Sequence, residues 1–270
     1  MAAAFQNLRA TARRFFVWAA AALAAGSAEA RLVEITVLNT TDLHGAICRS
    51  PGVYAERNEG SLLQCATLVR REREKNSNLL LLDCGDVVQG TAASFQTRGG
   101  IMATAMNAMG YDAYVPGNHE FDWGFGALAG FMDRMQAPPL AANLVVGPEA
   151  PAAFRRTLPY FIKEIDGVRV AVVGLTNPNI PNWTRGTEET GLTFLDSRRA
   201  LEQTLPLVRR EQPHVMILLV HQGLLRRDDV ANQLNAIGRR FGEFDLMLGG
   251  HLHMVSTRTQ IGKLTFGQAG

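Results

Sequence analysis

The sequence predicts an α/β fold with mixed sheets, on three observations. Short apolar runs rich in Val, Ile and Leu alternate with stretches of helical periodicity. Two of the connections, Asp166-Gly167 and Ile261-Gly262, are tight-turn dipeptides between apolar runs, which requires antiparallel pairs beside any parallel ones. Finally, five short segments carrying His, Asp or Asn each follow the end of an apolar run, the place where α/β sheets gather their ligands.

The chain opens on a segment that does not read as part of the fold. Arg9, Arg13 and Arg14 form a basic head, Phe15 to Ala25 is apolar, and Ala28-Glu29-Ala30 offers the small residues a signal peptidase accepts, so residues 1–30 read as an export signal. A membrane span needs about 20 apolar residues, and this run is shorter. Arg13-Arg14-Phe15-Phe16 partly matches a twin-arginine signal, with Ala12 ahead of the pair, so the export route stays open. Loss of residues 1–30 takes the formal charge from +2 to zero, because Arg9, Arg13, Arg14 and Glu29 go with it. A balanced chain without a basic stripe is not built for polymeric nucleic acid.

Residues 31–270 are then one domain, taken in order as follows. Val33 to Asn39 is β-rich and runs into Thr40-Thr41-Asp42. Ser61 caps a helix to about Lys75 whose apolar face is Leu62, Leu63, Ala66 and Val69. Leu79 to Leu82 reads as a strand covered on both faces. Helices follow over Gly100 to Met109 and Gly124 to Met135, with Tyr114 to Pro116 between them and a strand over Leu140 to Asn143. Tyr160 to Ile165 and Val168 to Gly174 form a hairpin. Asp196 to Glu211 is an amphipathic helix that Pro206 interrupts. Val215 to Val220 is a buried strand, Asp229 to Arg240 a helix, Leu246 to Leu248 a strand, and Val255 to Phe266 a last hairpin.

The centre of the chain is Gly117-Asn118-His119-Glu120-Phe121-Asp122. An Asn oxygen is a modest ligand, used where carboxylates and imidazoles supply most of the binding. Those partners are present as Asp42-Leu43-His44, Asp83-Cys84-Gly85-Asp86, His221-Gln222-Gly223 and Gly250-His251-Leu252-His253. Five of the six histidines sit at strand ends beside Gly or an acid; the sixth, His214, reads as structural. Cys48, Cys65 and Cys84 form no complete disulfide framework; a Cys48–Cys65 bridge is left open, and Cys84 reads as a buried residue beneath the site.

These blocks, in this order, resemble the five signature blocks of the calcineurin-like metallophosphoesterases. Asn39 to Gly45, Asp86-Val87-Val88-Gln89-Gly90-Thr91, the extension to Phe121-Asp122 and the closing Gly267-Gln268-Ala269-Gly270 are similar to the secreted 5′-nucleotidase branch. The resemblance implies a four-layer α/β/β/α sandwich and two divalent metal ions, Zn, Mn or Fe, since mixed N/O donors suit each. It implies Asp42, His44 and His253 at one metal, Asn118, His221 and His251 at the other, and Asp86 bridging them. His119 would act on the leaving group or the transition state, oriented by Asp122; the alternative for Asp122 is a helix cap. Glu120 reads as support for a ligand or a structural acid. Arg70 to Lys75 and Arg226-Arg227 read as solvated charge, and Asn177 to Trp183 as a surface loop that could instead border the pocket.

The implied activity is hydrolysis of a small-molecule phosphate ester, most plausibly a nucleotide, by an exported, periplasmic or secreted enzyme. The alternatives are a phosphodiesterase for cyclic nucleotides or nucleotide sugars, and a metal-retaining binding module without turnover. The branch carries a second, C-terminal substrate domain. The chain stops at Gly270, so the expectation is a catalytic domain without it, either a fragment or a shortened member of the family whose last strand needs covering.

Overall fold

The computed structural model describes residues 4–6, 31–48 and 60–270. The segment read as an export signal therefore lies outside the described residues except for Ala4–Gln6, a three-residue strand, β1, that pairs antiparallel with β2 (Thr36–Thr40). The first half continues with α1 (Leu62–Lys75), β3 (Leu79–Asp83), α2 (Ala92–Gln96), α3 (Gly100–Met109), β4 (Ala113–Tyr114) and α4 (Phe125–Arg134). Strands β2, β3 and β4 run parallel and make one sheet with β1 at its edge.

The second half holds β5 (Leu144–Val146), β6 (Tyr160–Ile165), β7 (Val168–Leu175), α5 (Ile180–Trp183), β8 (Leu192–Phe194), α6 (Ser197–Arg210), β9 (Val215–Val220), α7 (Leu234–Arg240), β10 (Leu246–Gly249), β11 (Val255–Ile261) and β12 (Leu264–Ala269). Six of these strands form a sheet in the order β11-β12-β10-β9-β7-β6, while β5 and β8 pair separately. Its interior pairs are parallel, and both edge strands are antiparallel hairpin partners, as the Asp166-Gly167 and Gly262 turns require.

Period-two alternation makes the layers. In β3, Leu79 and Leu81 face the helices α1, α3 and α4, while Leu80 and Leu82 face the other sheet. In β9, Met216, Leu218 and Val220 pack with Ala200, Leu201 and Leu205 of α6, while Ile217 and Leu219 meet Leu80, Leu82 and Val115. Helices, sheet, sheet, helices is thus the observed order. Each buried aliphatic side chain contributes about 1.5–3 kcal/mol, so the mainly aliphatic seam between the sheets is a large share of what holds the two halves together.

The local differences from the sequence reading have local causes. Ser61 does cap α1, accepting from the Gln64 amide, but Leu63 is 55% exposed and Cys65 takes its place on the buried face. No strand forms over Leu140 to Asn143: the Asn143 side chain pairs with both backbone groups of Thr176, the chain turns, and β5 begins at Leu144. Pro206 lies inside α6 on its exposed side, where water can reach the Glu202 carbonyl that Pro leaves without a donor, and the helix continues to Arg210. The helix expected from Asp229 is only α7, starting at Leu234. Asp229 Oδ1 accepts from the amides of Ala231 and Asn232, and Asp228 accepts from those of Asn235 and Ala236, so the acids cap turns instead of joining the helix. Cys48 and Cys65 are unbridged, with Cys65 on the buried face of α1.

Candidate metal centre

All five polar segments leave the carboxyl ends of β2, β3, β4, β9 and β10, which lie on one edge of the double sheet. Strand geometry alone therefore brings together residues more than 200 positions apart, such as His44 and His253, whose Nε2 atoms are 3.0 Å apart. Two groups result. Asp42, His44 and His253 offer ligand atoms all within 4.8 Å of one another, and so do Asp86, His221 and His251. Asn118 joins the second group, its Oδ1 lying 3.0 Å from His221 Nε2.

The tight turns that present these side chains are strained. Asp42, His44, Asp86, His251 and His253 all have φ between 46° and 77°. Non-Gly residues pay roughly 1–2 kcal/mol each for the left-handed region. Glycine appears where even that is closed. A Cβ on Gly85, at φ 98°, would lie 2.6 Å from the Gly117 nitrogen, and one on Gly117 would lie 2.2 Å from Asp86 Oδ1.

Glu120 fastens the turns to each other. It is buried, and its Oε1 accepts from the amides of Val87 (2.6 Å) and Val88 (3.1 Å) while Oε2 accepts from Asp86 (2.8 Å) and Gly117 (2.6 Å). Burial and then the nearby Asp86 charge push its pKa up, whereas every one of these four contacts is a donor that favours the anion. Asp42 is held similarly, accepting from Thr41 Oγ1 at 2.6 Å and from the His251 amide at 3.1 Å.

Hydrogen bonds to fixed acceptors set two tautomers. His221 Nδ1 lies 2.7 Å from the Cys84 carbonyl and His44 Nδ1 lies 2.9 Å from the Gln89 carbonyl, so in each neutral ring Nδ1 carries the hydrogen and Nε2 presents a lone pair. The His221 lone pair then faces Asp86 Oδ2 and Asn118 Oδ1, both 3.0 Å away and both acceptors. Asp86 Oδ2 is buried without a hydrogen-bond partner. Three converging acceptors repel unless a positive charge sits among them, and the carboxylate, imidazole and amide donors are those of a divalent cation site. The residues present therefore fit two metal ions.

A proton can take the same place in the metal-free protein. Burial opposes charge on His221, but Asp86, Asp42 and the Cys84 carbonyl outweigh it and push the pKa up to about 10. The neighbouring His251 moves the other way, down to about 4, through burial and then the charge on His221. The Cys84 thiol is fully buried, and burial with Asp83 pushes its pKa well up, so it offers no nucleophile.

His119 stands apart from both groups. Its amide donates to Asp86 Oδ1 at 2.8 Å, its Nδ1 lies 2.7 Å from Asp122 Oδ2, and its ring meets that of His44 edge-on with centroids 5.3 Å apart. Burial opposes its charge, but the Asp122 hydrogen bond and Asp86 outweigh it and raise its pKa. Asp122 does not cap α4, whose N-cap is Gly124.

For two contributors the sequence favoured a surface loop over its alternative, a border to the pocket. Asn177 is buried and donates to the carbonyls of His221 and Ala231, tying the loop after β7 to the site. Trp183, on the same loop, lies with its ring centroid 5.4 Å from that of His251, so the loop borders the site and is not mere surface. The Pro and Asn content of 177–183 was the available signal, but it fits any ordered loop. Arg226 and Arg227 are exposed, as expected of solvated charge.

The calcineurin-like phosphoesterase family model matches residues 35–255. A 5′-nucleotidase of Rattus norvegicus is 30% identical over 249 residues, which cover 90% of this chain and 42% of that protein. The trifunctional nucleotide phosphoesterase YfkN of Bacillus subtilis is 29% identical over 247 residues, 82% of this chain and 17% of that one. Among solved structures, a 5′-nucleotidase precursor from Thermus thermophilus superposes with TM-score 0.70 at 26% identity, covering 82% of this chain and 42% of its own. The chain spans less than half the length of each of these relatives.

Proposed function

The chain belongs to the calcineurin-like phosphoesterase family, and on that premise we propose that it is a two-metal phosphomonoesterase acting on nucleotides. The observation that carries the proposal is the buried Asp86 Oδ2, which lies 3.0 Å from His221 Nε2 in one group of ligand atoms and 4.0 Å from His44 Nε2 in the other. Asp42, His44 and His253 would hold one divalent ion, Asn118, His221 and His251 the other, with Asp86 shared. Bound there, the ions would supply Lewis-acid stabilisation of phosphoryl oxygens and a water acidic enough to attack at neutral pH.

The chain's own groups do the rest. His119, its Nδ1 held by Asp122, keeps Nε2 without a protein partner among the described residues, and Nε2 is the atom that would meet the substrate. The raised pKa keeps a proton available there for the leaving oxygen. A metal-holding module needs neither residue, which favours the enzyme over a binding protein. The name of the Bacillus relative, a trifunctional nucleotide phosphoesterase, supports a second reading in which more than one kind of phosphate ester is cleaved.

Export is part of the proposal, with residues 1–30 as the signal. No helix among the described residues is long and apolar enough to cross a membrane. The deciding experiment is phosphate release from 5′-AMP by the purified chain with added Mn²⁺ or Zn²⁺ and a chelator control. Metal-dependent release is the expected result. A folded, metal-loaded protein that releases none from 5′-AMP would overturn the monoesterase reading.

A further inference from the structure

Trp183 is 47% exposed although its ring lies against His251, a candidate ligand. The rings are tilted by only 34°, closer to stacked than to edge-on. A tryptophan that served solely to pad His251 would gain by being covered, since a buried indole is among the largest apolar contributions a side chain makes. Here nearly half of it faces solvent at the rim of the site.

The loop that carries it is braced. Asn177, fully buried, donates to the carbonyls of His221 (3.2 Å) and Ala231 (3.1 Å) and accepts from the Asn179 amide (3.0 Å). Pro181 in the first turn of α5 fixes the backbone just before Trp183. An exposed aromatic on a braced support, beside the reacting centre, is the arrangement that receives a planar ring at small entropic cost.

We propose that Trp183 is a specificity-determining residue on which the nucleobase of the substrate stacks. This rests on the phosphomonoesterase reading and extends it by naming the part of the substrate recognised. Recognition of the base would then be built partly into this domain, through a π-face that accepts purine and pyrimidine alike.

The test compares the full chain with Trp183→Ala and Trp183→Phe on two esters, 5′-AMP and ribose 5-phosphate, which differ by the base. Base stacking on an aromatic side chain is worth a factor of roughly 5 to 150, so Trp183→Ala should raise KM for 5′-AMP by that factor. The loss should fall on 5′-AMP and not on ribose 5-phosphate, so the ratio of the two kcat/KM values should drop by that factor, and Trp183→Phe should restore most of it. A second readout needs no turnover: adenosine should quench the intrinsic fluorescence of the wild type, and its affinity should fall by a similar factor in Trp183→Ala. Equal losses on both esters, loss of metal in Trp183→Ala, or unchanged adenosine affinity would each overturn the proposal. If the wild type hydrolyses neither ester, the monoesterase reading fails, and the adenosine titration still decides whether Trp183 stacks a base.

Discussion

Replacing Glu120 by Gln keeps its size and tests what holds the ligand turns together. The carboxylate serves two pairs of amides, Val87 with Val88 on one oxygen and Asp86 with Gly117 on the other. Whichever way a Gln amide turns, its NH₂ faces one pair, donor against donor. Two buried N–H groups then lose their acceptor at about 1–3 kcal/mol each, and the two bonds that survive weaken from charged to neutral strength by about 1 kcal/mol each. Allowing for relaxation, the loss is about 3–6 kcal/mol, against a total stability of about 5–15 kcal/mol for a domain. At about 2–4 °C per kcal/mol this is a fall in Tm of roughly 10–20 °C, read by calorimetry in chelator so that metal binding does not contribute. Metal counting on the loaded variant should show reduced occupancy, because Asp86 is carried by the turn that loosens. A Tm within about 2 °C of wild type, on the same per-kilocalorie scale, would refute this account: Glu120 would then be neutral in the native state, as burial alone favours, with its proton placed where Gln can imitate it.

Two further outcomes follow from the same geometry. His119→Ala should retain its metal while turnover falls by roughly 10² or more, the scale of a lost general acid; metal loss in that variant, measured by elemental analysis, would contradict the role given to His119. In the metal-free protein the His221 pKa is raised, so the stability it contributes is fully present below the ordinary His value of 6.5 and is lost as pH rises through about 10. Metal must displace that proton, so metal affinity should climb by up to about tenfold per pH unit between pH 7 and 9 while the Tm of the metal-free protein falls. Titration calorimetry at several pH values checks the first and thermal melts in chelator the second; an affinity independent of pH would remove His221 from the ligand set.

Much of the fold was legible because its signals are local. Leu79 to Leu82, the Asp166-Gly167 hairpin and the Gly100–Met109 helix each carry their pattern within a dozen residues, and each appears where expected. The gathering of the candidate donors was legible for a different reason: side chains at strand ends must meet when the strands share an edge, and His44 meets His253 by that rule. What escaped depends on partners that the sequence does not place. Asn143 turns the chain only because Thr176 is opposite it, and the acids at 228 and 229 end a helical pattern by taking amides further along. Trp183 reads as loop until His251 arrives beside it from a distant strand.

Each candidate ion would draw its ligands from both sheets: Asp42 and His44 with His253 in one group, Asp86 and Asn118 with His221 and His251 in the other. Such an ion is a clasp closing a chain loop of 209 residues between His44 and His253, at the one edge where the aliphatic seam gives way to polar turns. Unclasped, that edge keeps the halves in register through strained turns and a few hydrogen bonds, such as His221 to the Cys84 carbonyl and the His251 amide to Asp42, and it is where proteases and denaturants would gain entry first. Metal supply would then govern both how fast the protein works and how long it lasts in its compartment.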